Sequence, residues 1–162
     1  MSYSIFDVDF KNPTHQSDFW ILLNTYATDI MGGGTPLSET IKDKLIKDLA
    51  SSSIAYSFIA YDGSKAIGLL NSFLGYSTFY AAPLLNIHDL VVIPEYRGKG
   101  ISTLLLQAAE DKAKSLNCCK LTLEVLENNT VAQRAYHRFG FASYELDPSA
   151  GKALFFDKKL TK

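Results

Sequence analysis

The sequence predicts an α/β fold: a central, twisted, mixed but mostly antiparallel sheet of six to seven strands, flanked by about four helices. Three observations carry this. First, Ile87 to Ile93 is an apolar run broken only by His88 and Asp89; Pro94 stops it, and a glycine turn leads into a helical pattern from Ile101. Second, Tyr56 to Tyr61 and Lys65 to Phe73 flank Asp62-Gly63, the signature of a hairpin. Third, Lys120 to Leu126 alternates apolar and polar residues directly after the helix, which calls for a parallel crossover.

The remaining elements follow in chain order. Tyr3 to Asp9 alternates and reads as the first strand. Asn12-Pro13-Thr14 ends it, and a helix starting near Thr14 to Ser17 buries Phe19, Leu22, Leu23 and Tyr26. Gly32, Gly33 and Gly34 break that helix, and three glycines are costly to order, so this loop is expected to move unless something holds it. Ser38 caps a second helix with Ile41, Leu45, Ile46 and Leu49 inward. Gly75 to Pro83 is rich in aromatic residues, which either line a slot or pack an edge. The helix after the glycine turn puts Ile101, Leu104, Leu105, Ala108, Ala113 and Leu116 on one face; Ser102, Thr103, Glu110, Asp111 and Lys114 lie on the other. Asn128-Asn129-Thr130 caps a fourth helix with Val131, Ala135 and Phe139 inward, and Gly140 ends it. Phe141 to Glu145 and Leu154 to Lys158 are read as a closing strand pair around Asp147-Pro148.

Length and composition narrow the function. A chain of 162 residues makes one domain, residues 1–162, large enough to bury roughly 70% of its unfolded surface. With 47% apolar and 20% charged residues and a net charge of −1, it offers no electrostatic case for nucleic acid or an anionic membrane. No apolar run reaches the ~20 residues of a membrane helix. The first residues lack the basic-then-apolar order of a secretory signal, so a cytoplasmic location is expected. Cys118 and Cys119 are adjacent, which disfavours a disulfide and gives no metal-ligand spacing; no metal site is implied.

The glycine turn is where chemistry enters. Gly98 and Gly100 allow close backbone approach and positive φ, Arg97 and Lys99 add positive charge, and the helix that follows presents unpaired N–H groups. This is either a cradle for a phosphate group or a strand-to-helix turn with two solvated basic residues. A dinucleotide fingerprint would need glycine where Thr103 stands, and a Walker loop would need Lys-Ser or Lys-Thr after the last glycine.

Arg97, Gly100 and Ser102, preceded by Pro94-Glu95-Tyr96, occupy the spacing Arg/Gln-x-x-Gly-x-Gly/Ala. This resembles the acetyl-CoA-binding motif of the GNAT superfamily of N-acetyltransferases, with serine in place of the usual small residue. Asn129-x-x-Ala132-x-x-x-Tyr136, followed by Gly140-Phe141, resembles the superfamily's second signature. Tyr76-Ser77-Thr78-Phe79, Pro83-Leu84 and the Ile87-x-Asp89-Leu90 stretch resemble its diamine and thialysine acetyltransferases. The resemblance implies a GNAT fold in which acetyl-CoA is the acetyl donor. Its pantetheine arm would lie on the backbone of Leu90, Val91 and Val92, and its pyrophosphate on the amides of Arg97, Gly98, Lys99, Gly100, Ile101, Ser102 and Thr103. Asn129, in the motif with Ala132, would bond the pantetheine, Tyr136 would protonate the leaving thiolate, and Arg138, with Arg134, would reach the nucleotide phosphate or remain on a solvated face. The resemblance places the triple-glycine loop either beside the acceptor or as a plain flexible connector.

Diamine-type relatives place a glutamate before the Asp-Leu pair, where this chain has His88. The general base is therefore His88, Glu124 or a water molecule, since histidine titrates near neutrality. Strand alternation sends His88 and Asp89 to opposite faces unless a bulge intervenes, and Asp89 is read as structural. The implied activity is acetyl transfer to the primary amine of a small molecule, a polyamine or amino-acid-like acceptor, by a homodimer. A protein lysine or amino-terminal acetyltransferase and a catalytically silent CoA-binding domain are the alternatives.

Overall fold

The computed structural model describes residues 2–160, which fall into two compact units, one reaching to Leu123 and the other beginning at Glu124. In the first unit, strands β1 (Ser4–Asp7), β2 (Ala55–Asp62), β3 (Lys65–Ser77), β4 (Ala82–Val92) and β5 (Leu121–Leu123) form one sheet in sequence order. The first three pairings are antiparallel; β4 and β5 are parallel. Helices α1 (Pro13–Thr28) and α2 (Lys42–Ser51) precede the hairpin, and α3 (Ile101–Ser115) makes the crossover from β4 to β5.

Register decides which side chains share a face. Ile59, Leu69 and Val91 fall on the side that packs against Phe19 and Leu22 of α1 and Ile46 of α2. Phe58, Leu70, Leu85 and Ile87 are buried on the side toward α3. There a Cβ on Gly68 would meet Leu105 and Ile101 at 3.1 and 3.2 Å, so the bare glycine admits the helix. Each large apolar side chain buried in these layers contributes about 1.5–3 kcal/mol.

The sheet has five strands, not six to seven. Phe141 to Glu145 and Leu154 to Lys158 form no strand, although Asp147 does cap a short 3-10 turn, Pro148–Ala150. Apolar residues around a turn do not alone make a strand; a ladder partner in register must also exist. Conversely, β3 runs through the aromatic stretch as far as Ser77, because β4 starts early enough to pair with it. Tyr76, Phe79 and Tyr80 stand exposed at the β3–β4 turn. On α3 the buried stripe is Ile101, Leu105, Ala109 and Ala113 with Leu106, while Leu104 is exposed; the helix is rotated from the face expected. Ile41 lies in a 3-10 turn before α2 and is exposed.

The second unit contains α4 (Thr130–Phe139). Asn129 Oδ1 accepts from the N–H of Ala132 at 3.2 Å, and Gly140 closes the helix at φ 111°. Val131 is exposed in the first turn rather than inward.

The triple-glycine loop is held. Asp29 O accepts from Gly32 and Gly34 N–H, Thr35 N–H donates to Ala27 O, and Asp29 Oδ1 accepts from Met31 N–H at 2.9 Å. Gly32 lies so close to α1 that a Cβ there would be 1.9 Å from the Tyr26 carbonyl oxygen. Gly32→Ala should therefore cost about 2 kcal/mol through overpacking and lower Tm by roughly 4–8 °C. A thermal melt of the variant against wild type checks this; an unchanged Tm would show that the loop yields freely.

Candidate functional site

β4 is paired on both sides only over Leu85, Asn86 and Ile87, where β5 runs alongside. Beyond Ile87 it keeps its β3 partners, with Leu90, Val91 and Val92 opposite Leu70, Leu69 and Gly68. No strand among the described residues pairs with that stretch on the β5 side. Backbone N–H and C=O groups on an open strand edge can still take a partner.

A bulge occurs at the same place. Ser72 pairs with Ile87 and Asn71 with Asp89, so His88 is passed over in the register. The extra residue undoes the alternation that would have separated His88 from Asp89. His88 packs edge-on against Phe73 at 5.5 Å, and Asp89 Oδ2 accepts from Asn71 Nδ2 at 3.0 Å, both partners lying on the α1 side of β3. His88 Nδ1 and Asp89 Oδ1 are 3.8 Å apart; the histidine side chain is 63% exposed and the aspartate 20%. Toward α1, burial and then the charges of Asp89 and Asp29 raise the pKa of the Tyr26 phenol, which keeps its proton.

At the end of β4, Pro94–Tyr96 form a 3-10 turn, and Gly98 and Gly100 take φ values of 75° and 83°. Gly100 is the residue before α3, and no side chain caps the helix's first turn. The Gly98, Lys99, Gly100 and Thr103 positions are exposed; Ser102 is half-buried and Ile101 is in the core. Lys99 Nζ lies 4.5 Å from the Tyr96 ring centroid. Arg97 does not extend over the turn: its Nε donates to Val92 O at 3.0 Å, and its guanidinium pairs with Asp29 Oδ2 at 2.9 Å. It joins the glycine turn to the loop after α1. This turn can receive an anion on backbone amides and the helix dipole.

In the second unit, Asn129, Ala132, Tyr136 and Arg138 all belong to α4 and its cap. The Tyr136 ring meets Phe141 at 5.9 Å in an edge-to-face arrangement, and its carbonyl accepts from Gly140 and Phe141 N–H. Arg134 and Arg138 are exposed, and Glu124 is the first residue of this unit.

The structure thus brings His88, Asp89 and Leu90 to Val92 together with the glycine turn along one strand. Sequence reasoning missed Ser57, Asn71, Tyr26 and Asp29. A signal existed for two of them: Ser57 and Asn71 are polar interruptions in otherwise apolar strands, and both are buried.

A model described as the acetyltransferase (GNAT) family matches residues 20–141, more than half of the chain. Streptothricin acetyltransferase of Streptomyces lavendulae is 44% identical over 63 residues, 39% of this chain and 33% of that protein. N-alpha-acetyltransferase 30 of Schizosaccharomyces pombe is 33% identical over 92 residues, 56% of this chain and 59% of that protein. The chain therefore spans less than two thirds of the length of either. Aminoglycoside N(6')-acetyltransferase type 1 of Acinetobacter haemolyticus is 24% identical over 115 residues, 69% of this chain and 75% of that protein. An aminoglycoside N-acetyltransferase in complex with CoA aligns with a TM-score of 0.76 at 18% identity, covering 98% of this chain and 96% of that one. At that identity the match speaks for the fold. These relatives carry aminoglycoside, streptothricin and amino-terminal names, not the diamine and thialysine names suggested by Tyr76 to Leu84.

The Asp29–Arg97 link is testable by pH. Met31 N–H first, and the Arg97 guanidinium second, hold the Asp29 carboxyl below its ordinary value. A lowered carboxyl stabilises the fold above the unfolded value and ceases to do so as pH falls through the folded one. Asn can still cap the turn, so Asp29→Asn removes mainly the charge. It should cost up to about 1 kcal/mol at neutral pH, the pair being partly exposed. In urea melts the difference should vanish well below about pH 3.9; a gap that persists in acid would contradict the assignment.

Proposed function

The chain belongs to the acetyltransferase (GNAT) family, and we propose that it transfers an acetyl group from acetyl-CoA to a primary amine of a small molecule. Aminoglycosides, polyamines and amino-acid-like amines are the acceptor classes. The observation that carries this reading is the open edge of β4 beyond Ile87, running into the glycine turn before α3. An extended pantetheine arm has amide groups to exchange with Leu90 to Val92, and a pyrophosphate suits the amides from Gly98 to Thr103, the Arg97 N–H already donating to Pro94 O. The family match, residues 20–141, includes parts of both units. A homodimer, on the family resemblance, and a cytoplasmic location complete the proposal.

The amine nitrogen attacks the thioester carbonyl; the N–C bond forms and the C–S bond breaks. The proton lost by nitrogen passes to His88, whose exposed ring is accessible, directly or through water. The CoA thiolate takes a proton from the Tyr136 hydroxyl, which solvent restores. Proximity of the bound partners supplies much of the rate. Glu124 is the second candidate base. Similarity to N-alpha-acetyltransferase 30 favours one other reading, acetylation of a peptide amino terminus.

Free-thiol release from acetyl-CoA, measured across aminoglycosides, streptothricin, polyamines, amino acids and amino-terminal peptides, identifies the acceptor. With the best of these, Tyr136→Phe and His88→Ala should each lower kcat by roughly 100-fold while CoA affinity is kept. Wild-type activity retained in His88→Ala would move the base elsewhere. CoA binding without consumption of any amine would leave only a binding domain.

A further inference from the structure

On the α1 side of the sheet, three neighbouring strands carry a row of polar residues at directly paired positions. Ser57 of β2 is opposite Asn71 of β3, and Asn71 is opposite Asp89 of β4. Ser57 and Asn71 are 7% and 5% exposed, and Ile59 and Leu69 occupy the next pair along this face. Burying amide and hydroxyl groups here requires that they satisfy one another. Ser57 Oγ donates to Asn71 Oδ1 at 2.7 Å, and Asn71 Nδ2 donates to Asp89 Oδ2 at 3.0 Å.

The direction of this row is informative. A hydroxyl has one proton to give, and here it goes to the amide oxygen. In this arrangement the amide NH2 group faces Asp89. The opposite amide orientation would set a carbonyl oxygen against a carboxylate, two acceptors with no proton between them. The row thus engages one Asp89 oxygen through the Asn71 NH2 group. The other oxygen lies 3.8 Å from His88 Nδ1, within ion-pair range and beyond hydrogen-bond range. The bulge at His88 makes this possible, since a regular strand would send the imidazole to the other face.

We propose that Asn71, backed by Ser57, is a positioning residue: it holds the Asp89 carboxylate beside His88 Nδ1, so that the imidazolium formed when Nε2 takes the amine proton is stabilised. This deepens the proposed acetyl transfer and rests on it. Neither Asn71 nor Ser57 touches the reacting atoms; their effect passes through Asp89. Loss of the Asn71 donor should appear in kcat, not in the affinity for acetyl-CoA.

The test uses the full chain and the best acceptor amine. Asn71→Leu, Ser57→Ala and Asp89→Asn are prepared singly and combined, and kcat, KM for each substrate, CoA affinity and Tm are measured. Asn71→Leu should lower kcat roughly 10-fold and Ser57→Ala about 3-fold, effects of misplaced catalytic geometry. Neither should alter CoA affinity, and neither should cost anything further when Asp89 is already Asn. If Asn71→Leu does not fold, the Ser57→Ala cycle with Asp89→Asn gives the same reading. Losses that multiply in the double variants, or kcat at the wild-type value in both single variants, would overturn the inference while leaving the acetyltransferase reading intact. A wild-type protein that consumes no amine would overturn both.

Discussion

The structure depends on β4 having two partners for only three residues. From Leu85 to Ile87 the strand is held by β3 and β5; from His88 onward it is held by β3 alone. A strand buried in the middle of a sheet normally spends all its backbone hydrogen bonds on its neighbours. Here half of one edge is left over, in a segment anchored on its other side by a long antiparallel ladder. The same strand then delivers the chain, through Pro94 and two left-handed glycines, to an uncapped helix end. Open edge and exposed helix terminus thus follow one another along the chain without an intervening hinge.

Two polar connections keep this geometry inside an apolar core. Arg97, at the turn, folds back on Val92 O and reaches Asp29 in the loop after α1. The row from Ser57 through Asn71 to Asp89 fixes the face of the sheet on which the bulge opens. The second costs apolar surface, since Ser57 and Asn71 are buried where leucine or valine would pack well; the first lies at the partly exposed surface. Their common feature is that each ends on a group beside the open edge of β4: a carboxylate in one case, the glycine turn in the other.

Much of this was legible in the sequence because it is local. The hairpin closed at Gly63 and Ser64 beside Asp62, as its turn residues require, and Asn129 and Gly140 cap α4 as read. Gly98 and Gly100 adopt the positive φ that the turn demanded. What was not legible depends on partners far away in the chain. The strand pair expected after Phe141 found no ladder, and the face of α3 was displaced because tertiary packing, not the helical period, chose Leu106 over Leu104. Arg97 illustrates the same limit: its residue type suggested a ligand for phosphate, whereas its partner is an aspartate 68 positions earlier. The bulge could be named only as a condition for His88 and Asp89 sharing a face; the register of β3 against β4 was needed to show it.

Amide hydrogen exchange with and without CoA shows whether the open edge of β4 and the turn after it receive the donor. Exchange should slow on binding at Leu90 to Val92 and from Gly98 to Thr103, with little change in β1 and β2. CoA binding that leaves those amides unchanged, or that protects a different face of the sheet, would contradict that placement of the donor.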